Sequence, residues 1–494
     1  MSGSDELDEA LALANDSARR RDATARAGAS ARAAGTPGPA GTSATAGRSS
    51  PAPGGCHGGP GGRPAGESGR GGGTRRTAPG GERDAHAHDL PWPDARTYAS
   101  RVAGPLPSCT LPLGQALNHT LAAPLDALTD LPSFDTSAMD GWAVSGPGPW
   151  ELAKGERPDG HGLLAGDRRR PRTLPDGRAV RIATGARVPP GASAVLRREH
   201  GELDGTRLRA THRPQPGADV RPRGQECRSG DRLLPAGTSV TPAVLGLAAA
   251  AGYDRLTVTG RPRAEVLVLG DELLHKGVPR DGRIRDALGP MVEPWLTALG
   301  ADVLVTRRLG DDAEALHEAV STTTADVLVT TGGTARGPVD HLRPTLARAN
   351  ARLLVEGVQV RPGHPMLLAR LPAGRGSRQP DGSGPYLVGL PGNPLAALSG
   401  LMTLAAPLIR TLADRPAGTP PSAPLSDGVQ GHPRDTRLVP VVHSPEQSHA
   451  RPLLYNGPAM LRGIATATAL AVVPPGGATA GSRVSLLPLP WHGW

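Results

Sequence analysis

The chain has 494 residues, enough for several hydrophobic cores, and its 67 Gly and 53 Pro imply that part of it does not fold. The net charge of +9 is almost all arginine, Lys154 and Lys276 being the only lysines. No recognition helix, zinc finger or aromatic-basic interleaving accompanies it, which argues against nucleic-acid binding, and no run of about 18 apolar residues suggests a membrane span.

Residues 1–90 read as a disordered tail. It is Ala/Arg-rich to Ala34 and then built from Gly, Pro, Ser, Thr and Arg, too apolar-poor to offset the entropy of ordering. Cys56, Cys109 and Cys227 are odd in number and too scattered for a metal knuckle. They point to a reducing compartment without structural disulfides. The acidic N-terminus lacks a signal-peptide apolar region, so a cytoplasmic protein is expected.

Beyond the tail, Leu117, Leu121, Leu125, Leu128 and Leu131 punctuate a Pro-broken segment that ends in the stretch 132–144, where Phe134, the only Phe, and Trp142 occur among acids. A Gly/Pro/Arg-rich region with apolar runs at 179–182 and 192–196 reads as a β-rich insert. Residues 241–251 suit a short helix stopped by Gly252. From Ala264 buried-strand runs (265–269, 302–306, 326–331, 386–390) alternate with helical periods, which argues for a parallel, doubly wound sheet. After Pro416 the pattern returns to short β segments. The fold class expected is therefore multidomain α/β: a doubly wound domain with a β-rich insert, a small C-terminal β domain and the disordered tail.

In such sheets ligands bind at the carboxyl ends of the strands. Asp271 and Glu272 follow Gly270 there, Asp311 and Asp312 follow Gly310, Asp340 follows Gly332-Gly333, and Pro391-Gly392-Asn393-Pro394 follows a later strand. Singly, each Gly turns a chain and each Asp caps a helix. Together they suit a phosphate held by backbone N–H groups beside carboxylates that bind Mg²⁺. A dinucleotide oxidoreductase is disfavoured, because an acid pair stands where G-x-G-x-x-G would follow the first strand.

The stretch 132–144 resembles the P-x-F-D-x-S-x-M-D-G-Y-A-V segment of the molybdopterin molybdenumtransferases, the family that includes the gephyrin E domain, with Trp142 for Tyr. Ordered matches follow: Arg181-Ile-Ala-Thr-Gly-Ala186 with Pro189 and Gly191, the segment 220–226, Gly270-Asp-Glu-Leu273, Gly332-Gly333 with Asp340, Pro362-Gly-x-Pro365 and Leu390-Pro-Gly-Asn-Pro394. They extend the likeness over roughly residues 91–490.

The resemblance implies a linker-type domain made of two halves, 91–144 and 222–262, around an insert at 145–221. A molybdopterin-binding α/β domain (263–414) and a C-terminal β domain (415–494) would follow. It implies an elongated homodimer whose active sites draw on both subunits, with molybdoenzymes or cofactor-pathway proteins as further partners. The reaction implied is insertion of molybdate into adenylated molybdopterin with Mg²⁺ and loss of AMP. Carried over by motif, Asp140, Thr184, Glu272, Asp311 and Asp340 would be catalytic. Asp140, Glu226 (Asp in the family), Asp271, Glu272, Asp311 and Asp340 would serve Mg²⁺. Gly332, Gly333, Arg361, His364, Pro391, Gly392, Asn393 and Pro394 would hold the cofactor, the two prolines shaping the pterin loop. Departures stand at Leu269, Leu288, Ala335, His364 and Pro458; Arg361 and His364 replace lysines, and an imidazole is not assured a charge at pH 7. The alternative reading is a diverged paralogue that binds molybdopterin or a partner without turnover.

Overall fold

The computed structural model describes residues 87–491 apart from 156–159, 336, 338–339, 375–377, 380, 445 and 447. Among these the chain enters on strand β1 (Ala87–Pro91) and helix α1 (Trp92–Arg101). Residues 87–90 of the expected tail thus belong to a strand, and the rest of it lies outside the described residues. β1 pairs in parallel with a strand more than 260 positions on, Ala87 with Val355 and Pro91 with Gln359. The reason is a local apolar anchor: Trp92, 7% exposed, enters the main core, and its indole N–H donates to Thr403 Oγ1 at 2.9 Å.

The two segments expected to form one domain do meet. Ser108–Pro112 and Thr120–Leu121 pair antiparallel with Arg255–Thr259, and Leu125–Asp126 with Arg232–Leu234, while Thr136–Ser137 pairs with Val220–Arg221 at the end of the expected insert. Leu111, Leu121, Leu125, Val244, Leu256 and Val258 form their own core, closed by the helix Pro242–Ala250, whose first turn donates from Val244 N to the Thr241 hydroxyl. α1 departs from that scheme, because Ala95 and Ala99 pack in the main core instead. The expected insert forms a six-stranded sheet that also takes in Gly141–Val144 from the end of the first half and extends in sequence to Arg207–Ala210, with Trp142, Trp150 and Leu196 in its core. Cys227 is free and buried, and Cys56 lies outside the described residues.

The α/β layer is built from β2 (Arg263–Leu269), α2 (Gly289–Leu299), β3 (Asp302–Leu309), α3 (Ala313–Thr322), β4 (Val327–Thr331), α4 (Leu342–Arg348), β5 (Arg352–Arg361), β6 (Leu367–Arg370), β7 (Tyr386–Leu390) and α5 (Pro394–Gly400). β2, β4 and β7 are buried along nearly their whole length, which is why they read as unbroken apolar runs. Gly300, at φ 108°, closes α2, and Asp312 caps α3 by accepting from Glu314 N (2.8 Å) and Ala315 N (3.1 Å).

The strand order is β3-β2-β4-β7-β6-β5. The first four are parallel, as expected, but β6 runs antiparallel to both neighbours. That hairpin turns at Pro362-Gly363. Gly363 has φ 118°, and a Cβ there would lie 3.0 Å from both Met366 Cε and Ser399 Cβ, so the turn needs glycine. α5 continues through a π segment to Leu412 as one helix, long and apolar enough to cross a membrane; 89% of its apolar window is buried inside the protein, as in a core helix. The C-terminal strands Thr436–Val442, Ala469–Val473 and Arg483–Pro488 extend the sheet from the end of β5 and enclose their own core.

Candidate active site

The carboxyl ends of β2, β3 and β4 open into a cavity of about 110 Å³. Leu269, Gly270 and Glu272 line it from the end of β2, Gly310, Asp311 and Asp312 from β3, and Gly332, Gly333, Asp340 and His341 from β4. Three chain segments converge because parallel strands place their loops on one edge of the sheet. Gly332 and Gly333 both have positive φ (86° and 67°), a bend that turns the backbone out of the sheet. Gly332 N–H donates to Leu390 O at 2.9 Å, and a Cβ on Gly392 would come 3.7 Å from Gly332 Cα. The Pro391–Pro394 turn therefore stands directly behind the glycine pair.

Each carboxylate has a defined posture. Asp340 Oδ2 accepts the Gly337 N–H at 2.6 Å, while Asp312 is spent on capping α3. Glu272's carboxylate lies against the α-carbon of Gly270, where any side chain would overlap it. Asp271 faces the other way. It lines an adjoining cavity of about 240 Å³ together with Val268, Leu273, His275, Arg283, Arg308 and Leu309, and the two cavities share Gly270 and Gly310.

The remaining sequence candidates lie elsewhere in the chain. Asp140 accepts both the backbone N–H (2.7 Å) and the hydroxyl (3.0 Å) of Thr184. Those two bonds, the N–H first, hold its pKa below the ordinary carboxylate value, with Arg198 adding a smaller pull. Asp140 lines a third cavity with Trp142, His161, Arg181 and Arg198 on the insert sheet. Glu226 is exposed on the loop paired with Leu131. Arg361 Nε donates to Asp435 Oδ2 at 2.7 Å. His364 is set between the Val358 carbonyl (Nδ1, 3.0 Å) and Asp89 Oδ1 (Nε2, 3.5 Å). Neither of these two basic groups lines the acidic cavity. Conversely, His341, His275, Arg283 and Arg308 border the two cavities without having been marked by any sequence motif.

Three family profiles tile this architecture: the MoeA N-terminal region (domains I and II) over residues 90–252, a probable molybdopterin binding domain over 265–411, and the MoeA C-terminal region (domain IV) over 422–489. A molybdopterin molybdenumtransferase of Nostoc is 31% identical over 322 residues, 63% of this chain and 70% of that protein. The chain belongs to the molybdopterin molybdenumtransferase family. Molybdopterin molybdenumtransferase 2 of Mycobacterium tuberculosis is similar to it at 33% identity, covering 61% of this chain and 74% of the relative. Two structures of the MoeA protein from Pyrococcus horikoshii share the fold, with TM-scores of 0.64 and 0.61 at 22% and 18% identity. They span 82% and 81% of this chain and 100% of each of theirs.

Proposed function

We propose that the chain is a working molybdopterin molybdenumtransferase of molybdenum cofactor biosynthesis, inserting molybdate into adenylated molybdopterin and releasing AMP in the cytoplasm. The observation that carries this reading is the meeting of Glu272, Asp311 and Asp340 beside Gly332-Gly333 in one cavity of the molybdopterin-binding region. The bent glycine pair, without side chains, lets a phosphate approach the backbone closely, and the carboxylates supply negative oxygen around it.

The donor set fits Mg²⁺, which favours carboxylate oxygen and shares its shell with water and phosphate oxygens. Among the described residues no three His, Cys, Asp or Glu side chains close into a metal cage, and a shared shell does not require one. Glu272, Asp311 and Asp340 would hold the ion, and when bound it would offset the charge of the pyrophosphate link. The chain's own part is then positioning. Gly332 and Gly333 would give the phosphates room against the backbone, Leu269 and Leu316 add apolar surface to the lining, and the Pro391–Pro394 turn backs the glycine pair.

Asp140, held by Thr184, lines a different cavity of the same chain, which supports a homodimer in which the pair reaches the acidic cavity of the other subunit. Glu226 would join them. The second reading, binding without turnover, draws support from Arg361, whose Nε is held by Asp435, and from His364, set between Asp89 and Val358. The deciding experiment incubates the full chain with adenylated molybdopterin, molybdate and Mg²⁺. The first reading expects molybdate-dependent AMP release and cofactor that activates an apo-molybdoenzyme. Tight substrate binding without AMP release selects the second.

A further inference from the structure

We infer that the cavity around Asp271 is the specificity pocket for the pterin ring, and that Asp271 reads its 2-amino-4-oxopyrimidine edge. This rests on the functional reading above and assigns Asp271 a role apart from the metal-binding one its motif suggested.

The first argument is placement. Asp271 and Glu272 are neighbours in sequence but line different cavities, separated by Gly270 and Gly310. Asp271's carboxylate lies against the α-carbon of Gly310, in a cavity that neither Asp311 nor Asp340 lines. An excursion from the end of β2 builds the pocket. Leu273–Leu274 pairs in parallel with Ile284–Arg285, and Ile284 N–H donates to Glu272 O at 2.9 Å. This fold-back carries Asp271, His275 and Arg283 to the same rim.

Charge then selects the occupant. Arg308 lines the pocket, but its Nε donates to Asp286 Oδ2 at 3.3 Å, and Asp286, 3% exposed, is fixed in turn by the Gly289 N–H at 2.8 Å. That pair is neutral. Arg283 has no carboxylate partner among the described residues, yet Asp271 in the same pocket offsets its charge. A pocket with no net positive charge and a carboxylate in its wall is a poor phosphate site. Val268, Leu273 and Leu309 supply apolar surface instead, suited to the faces of a flat heterocycle.

A carboxylate accepts only, so it pairs best with two adjacent donors. The 2-amino group and neighbouring ring N–H of a pterin present that pair, while Arg283 and Arg308 offer donors to its ring acceptors. Adenine presents a donor flanked by an acceptor, which would set a lone pair against Asp271. The pterin ring is therefore placed on the Gly270/Gly310 side, away from the Pro391–Pro394 turn, and the pyrophosphate crosses the shared wall into the acidic cavity.

The test titrates the full-length protein, free of metal and molybdate, with 6-hydroxymethylpterin and with 6-hydroxymethyllumazine, which carries oxygen in place of the 2-amino group. The pterin should bind about tenfold or more tightly than the lumazine, because an unmatched charged group is costly. Asp271→Asn should shrink that preference severalfold, and Arg283→Ala should weaken both ligands alike. Equal affinity of the unmodified protein for the two, no pterin binding at millimolar concentration, a preference unchanged by Asp271→Asn, or AMP displacing the pterin would each overturn the assignment. The first two do not depend on a variant folding. AMP release by the same preparation is measured alongside. Release without a pterin preference sinks this inference alone, and a preference without release sinks the functional reading alone.

Discussion

Thr184 donates twice to a single oxygen of Asp140, once from its backbone N–H at 2.7 Å and once from its hydroxyl at 3.0 Å, across 44 positions of sequence. The hydroxyl is the smaller of the two influences that depress the carboxyl pKa, so removing it should reverse only part of the shift. In Thr184→Val the Asp140 pKa should rise towards the ordinary value while staying below it, and Thr184→Ser should leave it unmoved. A carboxyl-carbon NMR titration reads this directly. The folded pKa lies below the unfolded one, so the stabilisation is present above the unfolded value and lost as pH falls through the folded one. A Thr184→Val curve that overlays the parent's would show that the hydroxyl contributes nothing to holding the charge.

Asp340 should matter for turnover more than for folding. Its Oδ2 accepts the Gly337 N–H, and an asparagine oxygen can accept the same bond. Asp340→Asn should therefore keep Tm within a few degrees of the parent's, while AMP release drops on the order of 10²-fold for loss of one charge at the reacting phosphates. Undiminished AMP release would leave Asp340 as a turn-capping residue only.

How much of this site was legible beforehand depends on the range of the contacts involved. Gly270, Gly310 and Gly332-Gly333 could be found because alternating strand and helix periods set the loops on one sheet edge, whatever the details of packing. The parting of Asp271 from Glu272 depends on the path of the loop between Gly270 and Arg285, which has no periodicity to read. Arg361's pairing with Asp435, 74 residues away, and the use of β1 as a strand beside β5 arise from tertiary contacts that no local pattern encodes. The antiparallel β5–β6 hairpin was hidden for a related reason: buried strands read as apolar runs in either direction.

The N-terminal boundary can be tested by two truncations. Residues 1–86 have a composition unsuited to a core, and their removal should leave Tm and turnover near those of the full chain. Extending the deletion through Pro91 removes the strand paired with β5, together with His88 (3.2 Å from Glu356) and Asp89 (3.5 Å from His364). Its loss should lower Tm by several degrees, on the order of 4 °C. Equal Tm for the two truncations in a calorimetric scan would mean that β1 adds nothing to the sheet.

Gly270 and Gly310 offer the sharpest separation of backbone need from site geometry. At both positions a Cβ would overlap a carboxylate, Glu272's at Gly270 and Asp271's at Gly310. Only Gly270, at φ 133°, also holds a backbone conformation that side-chain-bearing residues rarely adopt. Gly270→Ala should thus cost about 1–3 kcal/mol of stability as well as turnover. In Gly310→Ala the obstacle is the end of a short side chain that can swing aside, so Tm should stay near the parent's. Asp271 would be displaced, and KM for adenylated molybdopterin should rise severalfold. Combining Gly310→Ala with Asp271→Ala should add little to the KM effect of Asp271→Ala alone, because both changes act through one carboxylate. If Gly310→Ala instead lowers Tm as much as Gly270→Ala does, the crowding at Gly310 involves more than Asp271, and the wall between the two cavities is part of the folding core.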